Sequence, residues 1–359
     1  MTVCILGNGL TALTLAKALT NQNIYVEILC NKKKLNINKT RTLGISKSNT
    51  DYLNKNVINV NKVLWKIKKI EIFTDNLKQE KLLNFEKNTK QVFSIVKNYE
   101  LYQLLESDLS KNKYFKSKLI NDNTLSSIDK YDLVVNCDPL NIITKKYFIK
   151  KIIKKYNSNA YTTIITHKKI LNDTATQIFT DKGPLAFLPI SNTRTSVVYS
   201  IPNSFIKIKE NIEKFIREKN NKYEIKSIEK INNFELNFFN LRSYYHNNIL
   251  AFGDMLHRIH PLAGQGFNMT IRDIKIFLNI IKSKIEVGLP LDKSVNVEFE
   301  NNTKHKNFIF SNGIDMIHEF FNIERKTNSK FLSKSVQLIG NNSKLNKFFS
   351  KVADEGALF

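Results

Sequence analysis

The residues best placed to do chemistry gather in one stretch, Leu250 to Ile274, which reads LAFGDMLHRIHPLAGQGFNMTIRDI. A short apolar run ends in Gly253-Asp254, His257 and His260 follow, and then comes Pro261-Leu262-Ala263-Gly264-Gln265-Gly266 ahead of a helical pattern opening near Asn268. This order predicts a strand, a tight glycine-lined loop and a helix N-terminus. Glycine has no Cβ and tolerates positive φ, so at Gly264 and Gly266 the backbone can approach a bound group closely. Free amides in the first helical turn favour an electron-rich partner by roughly 0.3–1 kcal/mol, rising to about 2 kcal/mol in a partly buried site. A lone G-x-G is equally compatible with an ordinary glycine turn. Here the loop is long, and the carboxylate of Asp254 precedes it at a fixed interval. His257 and His260 sit at a loop entry with no further ligand partners nearby, so no metal is expected and both rings are read as positional.

A second group lies at the start of the chain. Val3 to Leu6 reads as a buried strand, Gly7-Asn8-Gly9-Leu10-Thr11-Ala12 matches G-x-G-x-x-G/A, a helix runs on through Leu19, and Ile24 to Leu29 supplies the next strand. This is the βαβ unit that binds dinucleotides. Its glycines permit the tight turn, its helix amides face a pyrophosphate, and Ala12 satisfies the need for a small residue where helix and sheet pack. The acid expected at the end of the second strand falls on Cys30, with Asn31 next. Glu27 comes too early and is expected to point elsewhere. A thiol is a poor acceptor at neutral pH, so an acid restored by Cys30→Glu is expected to strengthen a ribose contact roughly 5- to 30-fold.

Several elements must hold these groups in place. Residues 57–90 offer β-like runs, including Val63 to Ile72 around Trp65, the sole tryptophan. Leu101, Leu104, Leu105 and Leu109 recur at helical spacing, and Leu133 to Asn136 reads as a buried strand running into Cys137-Asp138. Short strands are expected at Tyr161–Thr166, Thr176–Phe179, Pro184–Ile190 and Thr195–Ile201, with Asp181-Lys182-Gly183 as a turn. Ile271, Ile274, Leu278, Ile281 and Ile285 mark one face of the helix after the glycine loop, which Gly288 and Pro290 end. Residues 291–359 read as mostly helical, with no catalytic constellation.

Composition narrows the field. With 359 residues and 42% hydrophobic content, the chain can bury a large core and exceeds the usual length of one domain. Cys4, Cys30 and Cys137 are too scattered for a disulfide framework or a zinc site, which suits a reducing cytosol. No basic segment precedes the first apolar run, so a signal peptide is not expected. No run approaches the roughly 18 apolar residues of a membrane span. The formal charge of +24 would suit nucleic acid or an anionic membrane surface. Its lysines are scattered, as at Lys145-Lys146, Lys150-Lys151 and Lys154-Lys155, and read as solvated faces. No nucleic-acid-binding motif accompanies them.

The stretch from Gly253 to Asn268 closely resembles the second flavin motif (GD…HPLAGQG-N) of aromatic-ring monooxygenases, the p-hydroxybenzoate hydroxylase-like group. Its nearest likeness is the branch that hydroxylates polyprenylphenols in ubiquinone biosynthesis. Arg41 to Ser46 is similar to that family's R-x-x-A-L-S element, and Val96 to Leu101 to its V-E-N-R-x-L helix start, with Tyr99 where arginine is usual. Gly183 to Pro189 with Ser196 to Ser200 resembles G-P-x-A-L-L-P…S-x-V-W-S, and Asn307 to Asn322 loosely resembles a late N…D-x-L-x-x-L-F segment. At A-D-G-x-x-S-x-x-R the chain keeps Asp138 but has Pro139 for the glycine and Lys145 for the arginine. Proline removes an amide and fixes φ, so that loop must take another shape. Flavin-dependent halogenases share the scaffold but carry a W-x-W-x-I-P element, which a single tryptophan rules out.

The resemblance implies an α/β fold in which a Rossmann-like FAD-binding domain (1–56, 91–155 and 246–290) is interleaved with an antiparallel β-sheet substrate domain (57–90 and 156–245), followed by a C-terminal helical region (291–359). It implies FAD held by Gly7, Gly9, Leu10, Thr11 and Ala12. Arg41 would lie near the phosphates, as suits a permanent cation with forked donors, and Asn98 at the ribityl or ring region. Asp254 would take the ribityl hydroxyls, with Pro261, Ala263, Gly264, Gln265, Gly266 and Asn268 around the isoalloxazine. The implied reaction is hydroxylation of a prenylated phenol by O2 through a flavin C4a-hydroperoxide. NADH or NADPH would act as a transient donor without a Rossmann domain of its own. Leu185, Phe187 and Val197 would supply an apolar substrate wall. The protein would be cytoplasmic, or peripheral to an inner membrane or a biosynthetic complex, with no nucleic-acid partner. A flavin-binding scaffold subunit with reduced chemistry stays open, given Cys30, Tyr99 and Pro139.

Overall fold

Both glycine motifs lie at one edge of a six-stranded sheet. In the computed structural model, which describes residues 2–32, 35–75, 80–86, 91–120, 128, 130–205, 211–327 and 331–356, Thr2–Leu6 runs parallel to Tyr25–Cys30 on one side and Leu133–Asn136 on the other. Phe115–Leu119 extends the sheet beyond Tyr25–Cys30, while Ile249–Ala251 extends it beyond Leu133–Asn136. Val3, Cys4, Ile5, Val134, Val135, Leu250 and Ala251 are all buried, as expected of parallel strands covered on both faces. The helix Leu10–Thr20 is buried around most of its girth, at Ala12, Leu13, Leu15, Ala16, Ala18 and Leu19. Positions 76–79, 87–90 and 357–359 of the expected segments lie outside the described residues.

The second sheet has nine strands. Lys151–His167, Thr174–Thr180, Gly183–Pro189 and Arg194–Pro202 stand where short strands were expected, and Lys151–His167 also pairs with Asn232–Leu241. The sheet is mixed rather than purely antiparallel, because Thr174–Thr180 pairs in parallel with Lys69–Thr74. Those two strands come from distant parts of the chain, so no hairpin dictates their relative direction. A small three-stranded sheet joins Thr42–Ser46, Phe93–Lys97 and Leu64–Ile67.

The helix after the glycine loop starts at Gln265, three residues before the expected Asn268, and runs to Glu286. The first turn is already buried at Gln265, Phe267 and Asn268, but it carries only one apolar side chain, so the periodic apolar spacing that signals a helix starts later. Ile271, Ile274, Leu278 and Ile281 are buried, but Ile285 is exposed near the helix end. The C-terminal region is helical, at Lys293–Thr327, Phe331–Asn341 and Ser343–Glu355. The 35-residue first member touches both large sheets. Phe299 packs on Phe252 and Phe277 near one end, and Phe321 stacks on Phe179 near the other. Among the described residues, no helix is long and apolar enough to cross a membrane.

Candidate functional site

Three turns meet at the carboxyl edge of the parallel sheet, the place where open α/β sheets bind ligands. Their strands are locked in register by Gly7 N to Leu29 O (2.8 Å), Cys137 N to Leu6 O (2.9 Å) and Phe252 N to Asn136 O (2.9 Å). The turns also interlock. A Cβ on Gly7 would lie 3.1 Å from the Asp138 Cβ, and one on Gly253, at φ +65°, would lie 2.4 Å from the Thr11 Cγ2. Thr11 is thus a packing neighbour of Gly253, while Leu10 is half-buried against the core.

Two helices open onto this edge with bare N-termini. Leu10–Thr20 is capped by Gly9 and Gln265–Glu286 by Gly264, in neither case with a side-chain cap or an acidic residue in the first turn. Of the other helices, Lys47–Asn56 is capped by Ser46 and Ile142–Tyr147 by Asn141, while Asn98–Leu109 and Ile212–Lys219 lack a side-chain cap but carry Glu100 and Glu213 in their first turns. Nothing lies within 4 Å of a Cβ built on Gly9 or Gly266. The amides are therefore uncompensated and the space before them is open, which is how a phosphate or an electron-rich ring is received. A cradle that a Cβ would fill fits FAD.

The loop itself is fixed from below. Gly264 is left-handed, at φ +61°, and a Cβ there would lie 3.2 Å from the Gly44 Cα. Asn268 is fully buried; its amide donates to Gly44 O and Gly264 O (both 3.0 Å), and its oxygen accepts from Ser46 N and Asn49 Nδ2 (both 2.9 Å). All four hydrogen-bonding positions of the amide are filled by protein. Asn268 ties the loop to the strand Thr42–Ser46 and keeps nothing to offer a ligand. Pro261 and Gln265 flank the turn, half-buried and buried respectively, and the Ala263 backbone lies within the 3₁₀ turn Leu262–Gly264.

Other candidates are free to meet a ligand. Asp254 is exposed in the turn Gly253–Met255, and its carboxylate has no hydrogen bond or ion pair among the described residues. Arg41 is exposed and its carbonyl accepts from Asn98 N at 3.0 Å, so the two stand side by side. Asn98 begins the helix Asn98–Leu109. Neither the Arg41 guanidinium nor the Asn98 amide has a side-chain partner among the described residues.

Three departures from the expected pattern take definite shape. Cys30 is buried, with Sγ 3.8 Å from the Lys118 carbonyl of the next strand, and burial pushes its thiol pKa up. The thiol therefore faces the sheet rather than the open edge. Glu27 does point elsewhere, to Lys118 and Tyr131. At Pro139 the missing amide is bypassed, because the Asp138 carboxylate accepts from Leu140 N at 2.8 Å while Asn141 and Thr144 bond to Asn136. The turn is closed by side chains.

The expected apolar wall lies on the opposite face of its sheet. Leu185, Phe187 and Val197 are buried in a cluster with Ile212 and Ile216 of the helix Ile212–Lys219. Strand side chains alternate, so the half-buried Pro184, Ala186 and Leu188 take the other side. Leu188 packs there with Phe93, the ring beneath Gly44.

His257 binds Asp273 through Nε2 at 2.8 Å, and Asp273 accepts from Asn307 Nδ2 at 2.9 Å, all buried. His257 is positional, joining the loop entry to two helices. His260 is buried, and neither ring nitrogen has a hydrogen-bond partner among the described residues. It stacks on His318 with ring centroids 4.2 Å apart, and burial, reinforced by His318, holds its pKa well below the usual histidine range. His318 lies in residues 291–359, where the sequence pointed to no catalytic constellation. Asp315, His318 and Glu319 share one helix face and bring ligand-type atoms within 4.8 Å of one another. Their i, i+3, i+4 spacing was the available signal. The Lys154 ammonium already sits 3.1 Å from Asp315 and 2.9 Å from Glu319, in the place a cation would take.

Residues 141–283 match the FAD binding domain family. The ubiquinone biosynthesis monooxygenase of Drosophila melanogaster is 25% identical over 189 residues, 42% of this chain and 40% of that protein. Its namesake in Dictyostelium discoideum is 23% identical over 296 residues, 65% of this chain and 59% of that protein. The chain thus spans less than two thirds of the length of these relatives. Among solved structures, p-nitrophenol 4-monooxygenase of Pseudomonas putida superposes with a TM-score of 0.78 at 11% identity, covering 98% of each chain. HpxO of Klebsiella pneumoniae, crystallised with FAD and uric acid, gives 0.75 at 11% identity over 100% of this chain and 98% of that one. At such identities the superpositions establish the fold, that of the FAD monooxygenases. Taken together, the likenesses relate the chain to p-hydroxybenzoate-hydroxylase-like FAD monooxygenases on the ubiquinone-hydroxylase side.

Proposed function

We propose that this relative of the ubiquinone hydroxylases is itself an FAD-dependent monooxygenase that hydroxylates the ring of a prenylated phenol, with O2 as co-substrate and NADH or NADPH as transient electron donor. The observation that carries the reading is the pair of bare, glycine-capped helix N-termini with open space at Gly9 and Gly266. The amides after Gly9, with Leu10, Thr11 and Ala12 setting the turn, would take the pyrophosphate, and Arg41 would add a cation beside the phosphates. Asp254 would accept hydrogen bonds from ribityl hydroxyls, and Asn98 would donate to the ribityl or ring region. The amides from Ala263 to Gly266 would stabilise negative charge on the reduced ring, held in place by Asn268 beneath and Pro261 before them.

Bound there, the flavin supplies the oxygen activation and the protein supplies position and electrostatics. The loop from Pro261 to Gly266 excludes water from the reacting face. Pro184, Ala186 and Leu188 offer an apolar surface that suits a prenylphenol better than a charged benzoate. The test is substrate-stimulated NAD(P)H oxidation with detection of a product one oxygen heavier. Greater stimulation by a soluble hydroxybenzoate than by a prenylphenol in detergent would sink the substrate assignment.

A second reading is a flavin-binding accessory subunit of a quinone-biosynthesis complex. It is favoured by the inward thiol at Cys30, which leaves no carboxylate there for the adenosine ribose. Flavin retention without any phenol-stimulated NAD(P)H oxidation would select it.

A further inference from the structure

We propose that the groove between the long helix Lys293–Thr327 and the ends of two strands of the nine-stranded sheet binds a carboxylate carried on an apolar chain. The groove has a volume of about 590 Å³, within the range of about 300–1,000 Å³ that small-molecule sites occupy. Ile152 of Lys151–His167 and Asn240 of Asn232–Leu241 stand opposite each other in register and form one wall, with Arg242 just beyond the strand end. Lys304 and Phe308 of the helix form the other wall. None of these residues belongs to the edge assigned to the flavin, so the inference goes beyond the proposed function and stands without it.

Three features select the ligand. The first is an unmet donor. Asn240 is 4% exposed, its amide oxygen accepts from Ser311 Oγ at 3.0 Å, and its Nδ2 has no hydrogen-bond partner among the described residues. Buried donors are seldom left unmatched, and the residue that carries this one lines the groove. The second feature is charge. Lys304 Nζ sits 2.8 Å from one oxygen of Glu300, and the other oxygen accepts from Tyr244 N at 2.7 Å, so that carboxylate is held and its charge cancelled. Arg242 is exposed, and its guanidinium has no partner among the described residues. His305, also in the lining, carries no negative charge in either form. Asp273 lies behind the wall, bonded to His257 and Asn307. Lys150 and Lys151 are not part of the lining; the Lys151 ammonium stands over Phe239, on the opposite face of its strand from Ile152. With His305 neutral, the groups that line the groove sum to one positive charge. That charge matches one carboxylate, whose two oxygens fit the forked guanidinium, whereas a phosphate dianion would leave negative charge uncancelled. The third feature is apolar. Ile152 and Phe308 remain 39% and 43% exposed, a pair that a hydrocarbon chain would cover.

The test is calorimetric titration of the purified protein with decanoate, and with decanol, acetate and decyl phosphate as controls, all below their micelle-forming concentrations. Decanoate should bind about tenfold more tightly than any control. Arg242→Ala, at an exposed position, should weaken decanoate binding about tenfold to a hundredfold, as loss of charge-assisted hydrogen bonds does, with the melting temperature unchanged. Arg242→Lys keeps the charge without the fork and should recover part of that loss. Asn240→Asp, nearly isosteric, sets a carboxylate where the donor was and should abolish binding. The proposal is overturned if decanoate does not bind the wild type, or if Arg242→Ala binds it as tightly as the wild type does. A control that binds as tightly as decanoate also overturns it: decanol would remove the charge from the argument, acetate the apolar wall, and decyl phosphate the choice of a carboxylate. The titration needs no bound flavin, so failure of the flavin reading would register separately, in the absorption spectrum.

Discussion

Asp254 and Asn268 stand fourteen positions apart in one motif and do opposite jobs. Asp254 is exposed and has no partner among the described residues, so Asp254→Ala should leave folding intact while removing a charge-assisted hydrogen bond worth about 1.5–3 kcal/mol. Flavin affinity should fall roughly tenfold to a hundredfold, read as the flavin-to-protein absorbance ratio beside an unchanged circular dichroism spectrum. Full flavin retention would contradict the assignment. Asn268→Ala instead strands Ser46 N, Asn49 Nδ2 and Gly44 O in the interior. Unsatisfied buried groups cost about 1–3 kcal/mol each, so thermal unfolding should show a loss of several kcal/mol whether or not flavin is present. Cys30 reverses an expectation, because the inward thiol means that Cys30→Glu would bury a carboxylate in the sheet. A lowered melting temperature without tighter FAD binding is the expected result. Tighter FAD binding with unchanged FMN binding would show that residue 30 reaches the ribose after all. The sequence distinguishes residue types at each of these positions, but it cannot tell a side chain that faces a ligand from one that faces its own backbone.

The loop Pro261–Gly266 and its helix give a sharper contrast at the scale of an element. Gly264 is left-handed and nearly touches Gly44, whereas Gly266 lies in the first helical turn facing open space. Gly264→Ala should destabilise the protein by about 1–2 kcal/mol from backbone strain alone, with further loss from displacing Gly44. Gly266→Ala should leave stability equal or raise it by up to about 1 kcal/mol, since alanine is the better helix residue, and yet weaken flavin binding. Matching effects from the two substitutions, in stability or in flavin affinity, would refute this division of labour. Such elements were legible where local rules suffice. The βαβ fingerprint, the strands near Thr163, Phe187 and Val197, and the helix through Ile271 and Ile274 all announce themselves by spacing. Sheet faces were not: Leu185 and Phe187 alternate correctly, but only the packing of Ile212–Lys219 reveals which face is covered.

At the scale of the whole molecule, the C-terminal helices complete the site from a distance the sequence does not advertise. Asp354, near the end of the last helix, accepts from Ser48 N at 2.9 Å, and its carbonyl accepts from Ser46 Oγ at 2.8 Å. Ser46 in turn donates its amide to Asn268. The tail thus braces the strand that braces the glycine loop. Asp354→Ala should cost about 0.5–2 kcal/mol, as loss of a helix cap does, with a matching rise in the rate of flavin release under stopped flow. An unchanged release rate would show the brace to be local. Contacts more than 300 residues apart in sequence, like Asp354 to Ser48, leave no periodic trace for a reader to find.

The central claim is that the glycine-capped edge of the parallel sheet holds FAD. The absorption spectrum of the purified protein, followed by release of its chromophore on denaturation, tests this most directly. The expected result is flavin bands near-stoichiometric with protein, with the released compound identified as FAD and the bands much reduced in Asp254→Ala. A colourless protein that takes up no FAD on reconstitution, while folded by circular dichroism, would contradict the account.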